Sequence, residues 1–173
     1  KYDNMPIITG PQGIGKSTFL DNLGKAWFSD SLTSFEGKDA AELIQGTWIN
    51  EVGELTAFTK QETSAIKQFL SKCFDIYRAA YGRQTEKHPR RCVFFGTSND
   101  NEFLKDATGN RRFWPVDVGL HPAQKSIWTD MPGEVDQIWA EAYMYWAMGE
   151  QLYLSKEIEA AAMAAGEPQR AVR

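Results

Sequence analysis

The sequence predicts an α/β fold of three layers, α/β/α, with a largely parallel sheet at the centre and a helical extension at the C-terminus. Three observations carry this prediction. A short apolar run, Met5 to Thr9, passes at once into a glycine-rich loop and then a helical pattern. Further strand-like runs alternate with helical ones, the order that builds crossover units and a parallel sheet covered on both faces. Beyond residue 121 the pattern is helical throughout. With 173 residues, 42% of them apolar, the chain is long enough to bury the core of one domain of ordinary size. Residues 1–120 are expected to form that core and 121–173 the extension.

Met5 to Thr9 reads as a buried strand and Ser17 to Trp27 as a helix. Between them Gly10-Pro11-Gln12-Gly13-Ile14-Gly15-Lys16-Ser17-Thr18 fits the G-x-x-x-x-G-K-[ST] pattern of a phosphate-gripping loop in full, and in the strand-to-helix setting the pattern requires. Glycines at such a turn accept unusual backbone angles. Main-chain N–H groups can then surround phosphate oxygens, with the positive end of the helix dipole behind them. Lys16 would reach the β and γ phosphates and the Ser17 hydroxyl would ligate magnesium. A nucleoside triphosphate is the expected ligand.

The polar stretch Ser29 to Asp39 reads as turns, followed by a short helix, Ala40 to Gln45, that Gly46 ends. Thr47 to Glu51 reads as the second strand, with an acid at its carboxyl end. Lys60 to Phe74 has helical spacing, with Ala65, Ile66, Phe69, Leu70 and Phe74 on one face. Tyr77 to Tyr81 looks extended, Gly82 to Pro89 turn-like, and Arg91 to Gly96 is the strongest strand signal. The segments 77–81 and 91–96 are expected to pair as a hairpin. Arg112 to Val118 reads as a last strand before the Gly119-Leu120-His121-Pro122 break. Glu134 to Met148 then carries Val135, Ile138, Trp139, Ala142, Tyr143 and Trp146 at helical spacing, and the Ala-rich segment Lys156 to Ala165 reads as a final helix. Residues from Ala160 to Arg173 are expected to be frayed or loosely docked.

A triphosphatase needs a carboxylate near magnesium and a group that positions the attacking water. Ligands of an open parallel sheet gather at the carboxyl ends of its strands, where the loop and Glu51 would both lie. Two assignments fit: Glu51 holds magnesium through water while Glu54 orients the nucleophile, or Asn50 and Glu51 share the work. Glu54 is also explained as an acid at a helix start. Asn99, after the strand that ends in Gly96-Thr97-Ser98, suits a hydrogen bond to the γ-phosphate or the attacking water, and equally an ordinary turn. Arg111 and Arg112 set two planar, permanently charged forks before an aromatic strand, a chemistry fitted to a transferring phosphoryl group, often from a neighbouring subunit. A surface ion pair is the plainer alternative for them. Arg83, Lys87, His88, Arg90 and Arg91 form the one dense basic patch, which is either a solvated tip or a contact to a nucleic-acid backbone.

A net charge of −4 argues against a protein that coats nucleic acid through overall positive charge. Cys73 and Cys92 sit in no C-x-x-C, and His88 and His121 lie far from both, so neither a zinc site nor a disulfide framework is indicated. A reduced, cytoplasmic setting without membrane attachment fits, since no apolar run is long enough to cross a bilayer. The opening on Lys1 suggests a domain cut from a longer protein.

In these pieces the chain resembles the ATPase domain of the virulence-associated E family of phages and mobile elements, similar to superfamily 3 helicases. The matching segments are GPQGIGKSTFL (10–20), TWINEVGEL (47–55), YRAAYGR (77–83), CVFFGTSN (92–99) and TGNRRFWPV (108–116). The resemblance implies a P-loop NTPase of the AAA+ type that binds ATP and Mg2+ between the subunits of a ring, a hexamer. It would act as a helicase on single-stranded DNA, alongside other replication proteins. By position Lys16 and Ser17 correspond to the Walker A pair, Glu51 to the Walker B acid and Asn99 to the sensor residue. Arg111 or Arg112 would be the finger supplied in trans, and Gly82 to Arg91 the DNA-tracking hairpin. Asn50 departs from the apolar residue usual before the acid. Two rivals stand beside this reading: a small-molecule or nucleotide kinase built on the same loop, and a nucleotide-regulated initiator or loader that does not unwind.

Overall fold

The computed structural model describes residues 2–54, 59–99, 112–153 and 155–165. In chain order it contains β1 (Met5–Thr9), α1 (Lys16–Gly24) and a single 3-10 turn (Lys25–Trp27), then β2 (Phe28–Ser29), α2 (Gly37–Leu43) and β3 (Ile49–Val52). There follow α3 (Lys60–Leu70), β4 (Phe74–Tyr77), β5 (Glu86–Pro89), β6 (Val93–Ser98), β7 (Phe113–Asp117), α4 (Met131–Ala147) and α5 (Lys156–Ala165).

Five strands form one sheet in the order β2-β3-β6-β1-β7, and every neighbouring pair runs parallel. A parallel sheet is covered on both faces, so its strands carry apolar side chains on both. Met5, Ile7, Val52 and Phe94 join Ile44, Ile66 and Phe69 in one core, on the side of α2 and α3. Ile8 and Ile49 join Leu20, with Phe19, Leu23, Phe95 and Val118 against them, on the side of α1. The three-layer expectation is met by these two cores.

β1, α5 and the existence of each long helix follow the sequence reading. The differences have physical causes. α1 stops at Gly24, and the 3-10 turn occupies the rest of the expected helix, with β2 directly after it. α3 stops at Leu70, where the Ser71 hydroxyl donates to the Lys67 carbonyl at 2.9 Å, so Phe74 lies in β4 and not on the helix face. The hairpin is also not the expected one. β4 pairs antiparallel with β5, Phe74 opposite Pro89 and Tyr77 opposite Glu86, inside the segment expected to be a turn. The apolar β6 pairs with β1 and β3 instead, where both its faces are buried.

α4 begins at Met131 and buries only Met131 and Val135, leaving Tyr143 and Trp146 exposed. Trp139 ties the helix to α1 through a hydrogen bond from Nε1 to the Leu23 carbonyl at 2.9 Å.

Candidate functional site

All five strands point the same way, so the ends of β1, β3 and β6 meet at one edge of the sheet. There a cleft of about 590 Å3 opens, lined by residues of the 12–18 loop, by Glu51, Gly53 and Glu54, by Thr97, Ser98 and Asn99, and by Trp128. The loop's conformation depends on glycine. Gly13 has φ +81° with open space on its Cβ side, and Gly15 has φ +89°. A Cβ on Gly15 would sit 1.8 Å from Ile127 Cδ1. Among the described residues no side chain caps α1 at Gly15, which leaves the helix N-terminus facing the cleft.

Lys16 Nζ donates to the carbonyls of Gly10 and Pro11 at 2.8 and 2.9 Å and to Asn99 Oδ1 at 2.8 Å. The lysine of the loop and the amide at the end of β6, 83 positions apart, are therefore direct partners. Burial lowers the Lys16 pKa from its ordinary value, and the Glu51 carboxylate opposes the shift. Glu51 is buried at the tip of β3, and its Oε1 accepts from Ser17 Oγ at 2.7 Å and from Thr97 Oγ1 at 2.7 Å. Glu51 and Ser17 place two hard oxygens side by side, the donors magnesium prefers when it keeps waters and phosphates as its other ligands. Among the described residues no cluster of three or more His, Cys, Asp or Glu exists that would cage a metal by protein alone.

Glu54 lines the same cleft, exposed, with φ +53°. Asn50 does not reach it: fully buried on the other face of β3, it spends its amide on Thr47 Oγ1 at 2.8 Å. The pairing of Asn50 with Glu51 has no support in this geometry. Gly53, Thr97, Ser98 and Trp128 line the cleft without having been assigned to it by sequence reasoning. Thr97 had a signal, since the β3–β6 register sets Glu51 beside Phe95 and puts the next side chain on that face, Thr97, at the strand's end. Trp128 had none, because it arrives from beyond β7.

The expected arginine pair divides. Arg111 lies outside the described residues. Arg112 precedes β7, whose first residue pairs with Met5 at the start of β1, so it stands at the amino edge of the sheet, opposite the cleft. Five residues of strand separate the two edges by about 16 Å. Its Nε donates to Ser71 Oγ at 3.0 Å.

The basic patch also divides. Arg83, Lys87 and Arg91 are exposed, and Lys87 Nζ lies 3.6 Å over the Phe74 ring. Arg90 is not a surface cation: its side chain and that of Asp75 are 6% and 3% exposed, with Nε 2.7 Å from Oδ2. Its Nη1 also donates to the Phe69 carbonyl. Arg90 clamps the base of the hairpin onto α3. His88 stacks on Tyr77 at 4.0 Å between ring centroids, and its Nε2 is buried without a hydrogen-bond partner among the described residues. Packing takes both residues out of the exposed patch. Cys73 and Cys92 are free thiols. Among the described residues no helix is long and apolar enough to cross a membrane.

The C-terminal region of NrS-1, in apo structures, shares the fold. One superposes with a TM-score of 0.60 at 14% identity over 96% of this chain and 43% of that one. A second, spanning residues 305–718, gives 0.58 at 13% over 97% and 44%. The chain thus spans less than half the length of these relatives. No curated protein matches it. The model of the virulence-associated protein E-like domain matches residues 1–171, and the chain belongs to that family.

Proposed function

We propose that this domain is a magnesium-dependent ATPase that drives movement on single-stranded DNA as a ring, within the replication protein of a phage or mobile element. The single observation that carries the reading is the convergence of Lys16, Ser17, Glu51 and Asn99 on one cleft through direct hydrogen bonds. These are the four positions at which the family resemblance assigns the Walker A pair, the Walker B acid and the sensor. In this reading loop N–H groups and Lys16 hold the β and γ phosphates, and Ser17 with Glu51 carries Mg2+ through oxygen. Bound magnesium would neutralise charge developing on the phosphates. Glu54 and Asn99 border the same space and orient the attacking water.

Placement at the opposite sheet edge suits Arg112 to a neighbour's nucleotide and not to its own. That supports ATP between subunits and a ring, with Arg111 the alternative finger. The exposed Arg83, Lys87 and Arg91, with the fully exposed Tyr81 ring at the hairpin turn, offer charge and a stacking face to a DNA strand.

The test is ATP hydrolysis with and without a single-stranded oligonucleotide. Stimulation by DNA is expected, lost in Lys16→Ala. Mixing Lys16→Ala with Arg112→Ala is expected to recover part of the activity at shared interfaces. Transfer of the γ-phosphate to a small acceptor would support a kinase instead, and DNA-independent slow turnover without unwinding would support a loader.

A further inference from the structure

The turn after β7 folds back beneath the phosphate loop. Val118 N donates to the Thr9 carbonyl at 2.8 Å, and the chain then reaches α1, where Asn22 Nδ2 donates to the Ile127 carbonyl at 2.8 Å. Ile127 packs on the bare face of Gly15. The turn is held on its far side as well: Ser126 N donates to Asp130 Oδ2 at 2.8 Å, and Ser126 Oγ accepts from the N–H groups of Trp128 and Thr129 at 3.2 Å. Backbone bonds thus fix the position of Trp128 while its side chain stays outside. Trp128 is 59% exposed as a residue, and its indole lines the cleft with no hydrogen bond or ring partner among the described residues. Its Cζ2 lies 3.1 Å from where a Gly15 Cβ would stand.

A large aromatic exposed beside a phosphate-binding loop, on an anchored backbone, is a surface for a flat ring. We propose that Trp128 is the base-stacking residue of the nucleotide site, holding the base against the indole face while the triphosphate occupies the loop. The inference rests on the nucleotide reading of the cleft and adds the subsite for the base. Stacking is tolerant of which base is presented, because every base has a π-face. The geometry therefore assigns a nucleoside triphosphate as the ligand class, whichever base it carries.

The test compares binding of ATP and of tripolyphosphate, which has no base, by calorimetry with magnesium. Trp128→Ala is expected to raise the Kd for ATP about 5- to 150-fold, the range of stacking losses on alanine substitution. The Kd for tripolyphosphate is expected to hold within about twofold, and Trp128→Phe, which keeps a ring, to recover most of the ATP affinity. Equal losses for the two ligands in Trp128→Ala would overturn the proposal, because Trp128 would then only support the loop. An unchanged Kd for ATP in Trp128→Ala would overturn it as well. If the wild-type chain binds neither ligand, the phosphate-loop reading itself falls and takes the base subsite with it. Tight tripolyphosphate binding with a Trp128-independent ATP Kd sinks the subsite alone.

Discussion

Replacing Arg90 by alanine should destabilise the fold by about 3–5 kcal/mol, the cost of leaving one partner of a buried ion pair uncompensated. The structure supports the upper class of such effects. Both side chains are nearly inaccessible, and the guanidinium meets Asp75 at two points, Nε to Oδ2 at 2.7 Å and Nη2 to Oδ1 at 2.9 Å. It also lies 3.9 Å over the Phe69 ring and bonds the Phe69 carbonyl. Losing the donor to that carbonyl adds about 1–3 kcal/mol in isolation. The terms overlap, because water entering the space left by Arg90 solvates Asp75 and the carbonyl together. Against a total stability of about 5–15 kcal/mol, the loss should shift a urea transition followed by tryptophan fluorescence far toward lower denaturant. Arg83→Ala and Arg91→Ala, both at exposed positions, should stay within about 0.5 kcal/mol of the parent. Arg90→Met combined with Asp75→Leu should recover most of the loss, since an apolar pair of similar volume removes the stranded charge. A change below about 1 kcal/mol for Arg90→Ala at an unchanged slope would refute the clamp.

Glu51→Gln keeps an oxygen for Ser17 and Thr97 but removes the charge. ATP binding by calorimetry should change little, while single-turnover hydrolysis falls about 100-fold or more, because the metal that would neutralise charge on the transferring phosphate is held less well. Full turnover would move the acid elsewhere. Gly15→Ala forces φ +89° on a residue with a Cβ and drives that atom into Ile127, so thermal unfolding should report a loss of about 1–3 kcal/mol. An unchanged melting temperature would contradict the loop geometry. Burial pushes the Cys92 thiol up from 9.0 to about 11. Its folded value lies above its unfolded one, so its contribution is complete below about pH 9 and lost as pH climbs toward about 11. Wild-type stability should fall across that window more than that of Cys92→Ala, and at pH 8 an alkylating reagent should modify the exposed Cys73 well before Cys92.

What the sequence discloses of this site follows how local each feature is. The glycine-rich loop is legible because strand, glycines, lysine and serine are contiguous, and the helix that follows can begin only after the last glycine, at Lys16, one residue before the expected Ser17. Glu51 is legible by one further step, that acids at strand tips of a parallel sheet share an edge with the loop. Asn99 and Arg112 are placed by strand order. Trp128 depends on a turn returning from beyond β7 to a glycine that offers no Cβ, and no periodicity signals such a contact. Arg90 shows the opposite error. In a run of charges it looks solvated, because its partner Asp75 stands just past the helical pattern expected to end at Phe74, in a stretch with no strand signal of its own. The misassigned hairpin has the same root. Strand strength does not choose a partner: the most apolar strand, β6, goes where both faces can be covered, between β3 and β1. The antiparallel pairing is left to the polar Glu86-Lys87-His88-Pro89, which tolerates water on one side. Once β5 lies beside β4, Asp75 and His88 are opposite each other, and the arginine two residues beyond His88 reaches back to the buried carboxylate.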